Sequence, residues 1–258
     1  MATKFSLAQR LRAGDTVYTG WCGLPAPIVA ETIAREGFAA VTIDQQHGLW
    51  DTASTLSAIG AVRQGGAAPI VRIPVASFAT VSRVLDFGAE GVIAPMINTV
   101  EDARAFVSVA KYPPLGDRSW GPHRALMLGE MTDQKAYLRE ANTLTVTFAM
   151  IETRTALANL DAIAATEGID ALFVGPSDLS IALTDGGVLD PHSAAVEREL
   201  ERVIAAAQKA KKIPGLYCAN AERALVAAKR GFRFLAVGSD LAFLRTGTAA
   251  QVKALRSS

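Results

Sequence analysis

Eight short apolar runs rich in β-branched residues recur along this chain, and they constrain its fold more than anything else in the sequence. They are Thr16–Thr19, Ala40–Asp44, Ile70–Ile73, Gly91–Pro95, Val146–Ile151, Ala171–Gly175, Gly215–Cys218 and Phe234–Gly238. Continuous runs without polar alternation predict strands buried on both faces, the habit of a parallel sheet. Between them, Ala53–Gly65, Val100–Lys111, Ala156–Glu167, Ala194–Lys212 and Ala221–Arg230 carry apolar residues three and four apart, the period of a helix. Eight such β–α units predict an α/β fold of the closed (β/α)8 TIM-barrel type, with an open α/β sheet as the alternative.

No linker or shift in composition divides the chain, so residues 1–258 read as one barrel domain, and such barrels run to about 250 residues. The long irregular stretch is Pro113–Gly129, with a second at Thr184–His192. At the start, Phe5, Leu7 and Leu11 share a helical face among three basic residues. A short helix closing the barrel floor is the favoured reading of Met1–Gly14, and a transit-like leader is the other.

Net charge is +1 and the basic residues are scattered, which gives no electrostatic footprint for DNA, RNA or anionic lipid. No apolar run approaches the roughly 18 residues that would span a bilayer. Cys22 and Cys218 form neither a disulfide framework nor a zinc spacing, so a reducing cytoplasm is the expected compartment.

A barrel directs attention to the residues that end its strands, because active sites of this fold lie at the C-terminal mouth. The second run ends in Asp44-Gln45-Gln46-His47, where His47 is a candidate general base, metal ligand or plain loop residue. The third carries Arg72, which is costly to bury without an anion. A substrate anion is favoured over a fixed carboxylate as its partner. The fifth and sixth end in Glu152 and Asp178, two carboxylates at neighbouring strand ends, suited to a hard divalent cation. Each also has a purely structural use: Asp178 could cap the helix beginning near Leu179, and Glu152 could face the next helix N-terminus. Gly175-Pro176-Ser177 makes a turn whose backbone N–H groups could hold a carboxylate. No strand run contains or ends in lysine, which disfavours Schiff-base chemistry and favours metal-assisted enolate chemistry.

Taken in order, several stretches form a set. They are Asp44-Gln45-Gln46-His47, Val71-Arg72-Ile73-Pro74, Leu85-Asp86-Phe87-Gly88-Ala89, Pro95-Met96 and the run Lys111-Tyr112-Pro113-Pro114-Leu115-Gly116-Asp117-Arg118. Ile151-Glu152-Thr153-Arg154 and Val174-Gly175-Pro176-Ser177-Asp178-Leu179-Ser180 complete it. Over nearly its whole length the chain resembles the HpcH/HpaI family of class II pyruvate aldolases, which includes 4-hydroxy-2-oxoheptanedioate and 2-dehydro-3-deoxyglucarate aldolases. That resemblance implies a carbon–carbon lyase that joins or separates a 2-oxo acid and an aldehyde. It implies a magnesium, manganese or cobalt ion on Glu152 and Asp178, with Arg72 at the keto oxygen. It further implies His47 paired with Asp86 for proton transfer, the Gly175 and Ser177 amides on the substrate carboxylate, and Trp21, placed on the loop after the first strand, in the pocket wall. A homo-hexamer exchanging C-terminal helices is the implied assembly. Oxaloacetate decarboxylation on the same site, or 2-oxo-acid binding without turnover, are the alternatives.

The chain departs from the family pattern at three places. Gln46 replaces a frequent Glu, Met150 replaces a common Gln, and Ser119–Leu128, with Trp120 and His123, differs. These are the positions expected to bear on aldehyde specificity and proton transfer.

Overall fold

The computed structural model describes residues 5–256 and holds a closed barrel of eight parallel strands in sequential order. The first half runs α1 (Leu7–Arg12), β1 (Val17–Cys22), α2 (Pro27–Arg35), β2 (Ala40–Asp44), α3 (Thr52–Gln64), β3 (Ala68–Arg72), α4 (Phe78–Phe87), β4 (Gly91–Ala94) and α5 (Val100–Ala110). Then follow α6 (His123–Leu128), α7 (Gln134–Leu144), β5 (Val146–Ile151), α8 (Arg154–Ala158), α9 (Leu160–Ala165), β6 (Ala171–Val174) and α10 (Pro176–Leu183). The chain continues through α11 (Ala194–Lys209), β7 (Ile213–Cys218), α12 (Ala221–Arg230), β8 (Phe234–Val237) and α13 (Asp240–Leu255). Among the described residues no helix is long and apolar enough to cross a membrane.

Strand parity divides the core into two layers. Odd positions of β1 and even positions of β2, β3 and β5 point into the barrel, since successive side chains of a strand face opposite sides. Val17, Ile70, Phe148, Phe173 and Phe234 fill that interior, with the Phe148 and Phe234 rings 4.4 Å apart. The other parity, including Val41, Ile43, Val71 and Leu172, packs outward against the helices. Burying each such side chain contributes about 1.5–3 kcal/mol relative to leaving it in water.

The floor is closed by α1. Leu7, Ala8 and Leu11 enter the interior layer, and the Ser6 and Leu7 amides donate to the buried Glu90 carboxylate at 2.8 Å. An anion at the first turn of a helix satisfies N–H groups that have no partner within the helix. The floor-closing helix expected from the sequence is therefore present; Met1–Lys4 lie outside the described residues.

Some boundaries differ from the sequence reading. β1 extends to Cys22, which puts Trp21 inside a strand rather than on a loop. The single helix expected over Ala156–Glu167 is two, broken at Asn159, whose side-chain amide reaches the Asn98 carbonyl at 2.9 Å. Within the stretch read as irregular, α6 forms one short helix whose Ala125 and Leu126 join Phe5, Tyr112 and Tyr137 in a satellite cluster.

Candidate active site

Parity brings Trp21, Asp44, Arg72, Met150, Glu152, Phe173 and Tyr217 to the inner wall at the C-terminal ends of their strands. A cavity of about 280 Å³ opens there, lined by all of these except Glu152 and also by His47 and the Gly175–Asp178 turn. No lysine lines it.

Asp44 and Arg72 are register partners across β2 and β3. Arg72 Nε and Nη2 donate to Asp44 Oδ1 and Oδ2 at 2.8 and 2.7 Å. The arginine's partner is thus a fixed carboxylate, which corrects the preference for a substrate anion. Burial works against the charge on Asp44. The Arg72 fork, aided by the Trp21 indole N–H at 3.2 Å and the Gln46 amide at 3.0 Å, outweighs it and holds the carboxyl below its ordinary value. The guanidinium also lies 4.8 Å over the Trp21 ring, which packs against Phe173 and Tyr217. The sequence motif gives Asp44 no role of its own; the role follows from the β2–β3 register that sets it opposite Arg72. Tyr217 was missed as well, although β7 parity places it inward.

Glu152 is 2% exposed and accepts the Met96 amide at 2.8 Å through Oε1. Burial pushes its pKa up to about 7. The Met96 amide opposes that rise, Asp178 adds to it and Arg72 opposes it. The other oxygen faces Gly175, where a β-carbon would stand 2.6 Å from Oε2 and 3.1 Å from the Met150 methyl. A side chain at this position would displace the Glu152 carboxylate.

Asp178 does not cap α10, and Glu152 makes no hydrogen bond to the start of α8. Thr153 caps α8, and Glu152 turns to Met96 instead. Gly175 occupies the N-cap of α10 with no side-chain cap bond, while Asp178 sits exposed in the first turn. Backbone N–H groups in that turn have no acceptor within the helix and are available to an anion.

His47 lies at the exposed rim, just past β2. Its expected pairing with Asp86 is not formed within the chain. Asp86 is bound by Arg118 Nη2 at 2.6 Å, and Arg118 in turn stacks on Tyr112. The reason is topological. Helices run antiparallel to the strands, so the last turn of α4 returns toward the floor while His47 sits at the mouth. The Ser119–Leu128 segment also contributes nothing to the cavity wall, since Trp120 packs on Tyr112 and Tyr137.

A model of the HpcH/HpaI aldolase/citrate lyase family matches residues 18–246. The chain belongs to this family. It is 39% identical over 232 residues to a hydroxypyruvate/pyruvate aldolase of Rhizorhabdus wittichii, covering 90% of each chain. A 5-keto-4-deoxy-D-glucarate aldolase of Klebsiella pneumoniae is 34% identical over 232 residues, 88% of each. Among solved structures, an HpcH/HpaI aldolase from Desulfitobacterium hafniense superposes with a TM-score of 0.88 at 30% identity, covering 98% of this chain and 97% of that one. As a member of the HpcH/HpaI family the protein is a carbon–carbon lyase, and the family generally depends on a divalent metal.

Proposed function

We propose that the protein is a divalent-metal-dependent class II aldolase. It would reversibly cleave 4-hydroxy-2-oxo acids to an aldehyde and pyruvate or hydroxypyruvate. The observation that carries this reading is Glu152, a buried carboxylate with its pKa raised to about 7 and Oε2 turned toward Gly175 at the cavity. A cation would remove the cost of keeping that charge beside Asp178.

The donor set fits such an ion. Glu152 and Asp178 offer oxygen, and among the described residues no group of three His, Cys, Asp or Glu side chains could hold a metal. Two carboxylates suit magnesium, manganese or cobalt with positions left for water and substrate. When bound, the ion would polarise the 2-oxo carbonyl and acidify the adjacent carbon.

Arg72 supplies positive charge to the keto oxygen as electrons arrive there, using the N–H groups that Asp44 leaves free. The Gly175 and Ser177 amides hold the substrate carboxylate, and Pro176 between them fixes the turn while donating nothing. His47 accepts the 4-hydroxyl proton in cleavage and returns it in synthesis. As that proton leaves, the C3–C4 bond breaks and its electron pair stays on the pyruvate fragment, which takes a proton at C3 from water while His47 releases its own to solvent. Trp21 forms the wall beside the substrate. Asp86, held by Arg118, is not assigned a step within the chain.

The assembly we infer is a homo-hexamer with α13 exchanged between neighbours. Only Asp240 of that helix is buried, while Leu241, Leu244, Val252 and Leu255 are exposed along it.

The test of the activity is direct. Metal-loaded protein is incubated with pyruvate or hydroxypyruvate and a panel of aldehydes, and products are identified by mass spectrometry. Aldol adducts are expected; their absence with every aldehyde overturns the reading.

A further inference from the structure

The barrel has a second polar cavity, at the opposite end from the mouth, of about 310 Å³. Arg12, Asp170, Lys211, Lys212 and Arg233 line it, with Leu11 and Ile213 among its apolar walls. Arg12 ends α1, Asp170 precedes β6, the two lysines precede β7 and Arg233 precedes β8. The end of α1 and the turns that lead into the adjacent strands β7 and β8 therefore direct cations at one floor cavity.

Asp170, the only carboxylate lining it among the described residues, is already engaged. Asp170 accepts Lys111 Nζ at 2.7 Å, Arg12 Nη2 at 3.2 Å and the Thr147 amide at 3.0 Å. That network accounts for Lys111 and Arg12. It leaves Lys211, Lys212 and Arg233 without an ion pair among the described residues. Lys212 Nζ reaches the Ile169 carbonyl at 2.7 Å, and Arg233 Nη1 reaches the Phe232 carbonyl at 2.9 Å. Both side chains are thereby held in place without being neutralised. Lys211 stands at φ 56, a left-handed conformation that favours glycine, where α11 closes through the Lys212 amide on the Ala207 carbonyl.

Three unpaired cations around one concavity repel each other and concentrate anions. We propose that this floor cavity is a binding site for a phosphoryl group, as inorganic phosphate or a phosphate monoester. A planar carboxylate would engage one donor well. A tetrahedral, multiply charged anion presents oxygens to donors arriving from separate turns. The volume lies near the lower end of small-ligand pockets, about 300 Å³, which leaves room for a short organic portion against Leu11 and Ile213. Nothing in the aldol chemistry at the mouth requires this site.

The experiment uses the full chain with its active site first saturated with oxalate, so that titrated phosphate reports on the floor. Inorganic phosphate and glycerol 3-phosphate are titrated separately by calorimetry at low ionic strength, where surface electrostatics are least screened. One site per chain is expected. Tighter binding of the ion points to inorganic phosphate, and tighter binding of the ester to a ligand that also uses the apolar wall. Lys211→Glu changes an exposed side chain that makes no hydrogen bond among the described residues, so the fold is retained, and melting checks this. It should weaken binding of both probes by about tenfold or more and leave aldol turnover unchanged. Failure of both probes to bind the unaltered protein, or equal affinity in Lys211→Glu, overturns the proposal.

Discussion

Asp44 and Arg72 face each other across the β2–β3 ladder and close a two-bond fork at the barrel mouth. The fork fixes the guanidinium plane and leaves its remaining donors to the cavity. Arg72→Lys keeps the charge but loses the plane. Turnover should fall by about 100-fold or more, the scale of losing a positioned oxyanion donor, with KM less affected. Steady-state kinetics decide it: near-normal turnover would confine Arg72 to its ion pair with Asp44.

Glu152 makes the metal-free protein sensitive to pH with a definite sign. Its folded pKa, about 7, lies above the ordinary 4.5, so the folded state holds the proton more tightly than the unfolded one. Stability should therefore fall as pH rises from about 4.5 to about 7, by on the order of 3 kcal/mol if this group acts alone. Below that window the penalty is absent, and above it the penalty is complete. Glu152→Gln should remove this component, as denaturant titrations of both proteins across the window would reveal. Divalent-ion affinity should change in the opposite sense and weaken as pH drops below about 7, since the proton competes with the metal.

Much of this was legible before any coordinates. Short apolar runs define buried parallel strands, and strand parity then follows wherever a run's end is sharp, as at Glu152. It failed where the run's end was hidden: Gly20 interrupts the apolar character of β1, so Trp21 was placed on a loop. The His47–Asp86 pairing rests on the resemblance alone, whereas the barrel topology puts the last turn of α4, with Asp86, toward the floor and His47 at the mouth. Arg118, which takes Asp86, is distant in sequence and lies in a stretch with no periodicity. The Asp44–Arg72 fork is likewise a tertiary relationship, visible only once β2 and β3 are known to be neighbours in register.

Met150 lines the cavity, and its methyl lies beside Gly175. A thioether donates no hydrogen bond. Met150→Gln should tighten divalent-ion binding or shift aldehyde preference by about 10- to 100-fold, the range of groups that orient metal ligands. Calorimetry and aldehyde competition on both proteins measure it. Matching values would reduce Met150 to packing.

The exposed apolar side chains of α13 predict association. Light scattering should give a hexamer at micromolar concentration, and Leu244→Glu, which charges a residue 59% exposed in the single chain, should shift the mass toward smaller species. A monomeric mass for the unaltered protein would refute the assembly.

The central claim is that Glu152 and Asp178 hold a cation that makes the carbon beside a 2-oxo group acidic. Exchange of solvent deuterium into the methyl group of pyruvate, followed by proton NMR, tests this without knowledge of the natural aldehyde. Metal-loaded protein should catalyse the exchange. Chelation should abolish it, and added manganese, cobalt or magnesium should restore it in the unaltered protein but not in Glu152→Ala or Asp178→Ala. Undiminished exchange in persistent chelator, or full rescue of both variants at ordinary metal concentrations, would contradict the account.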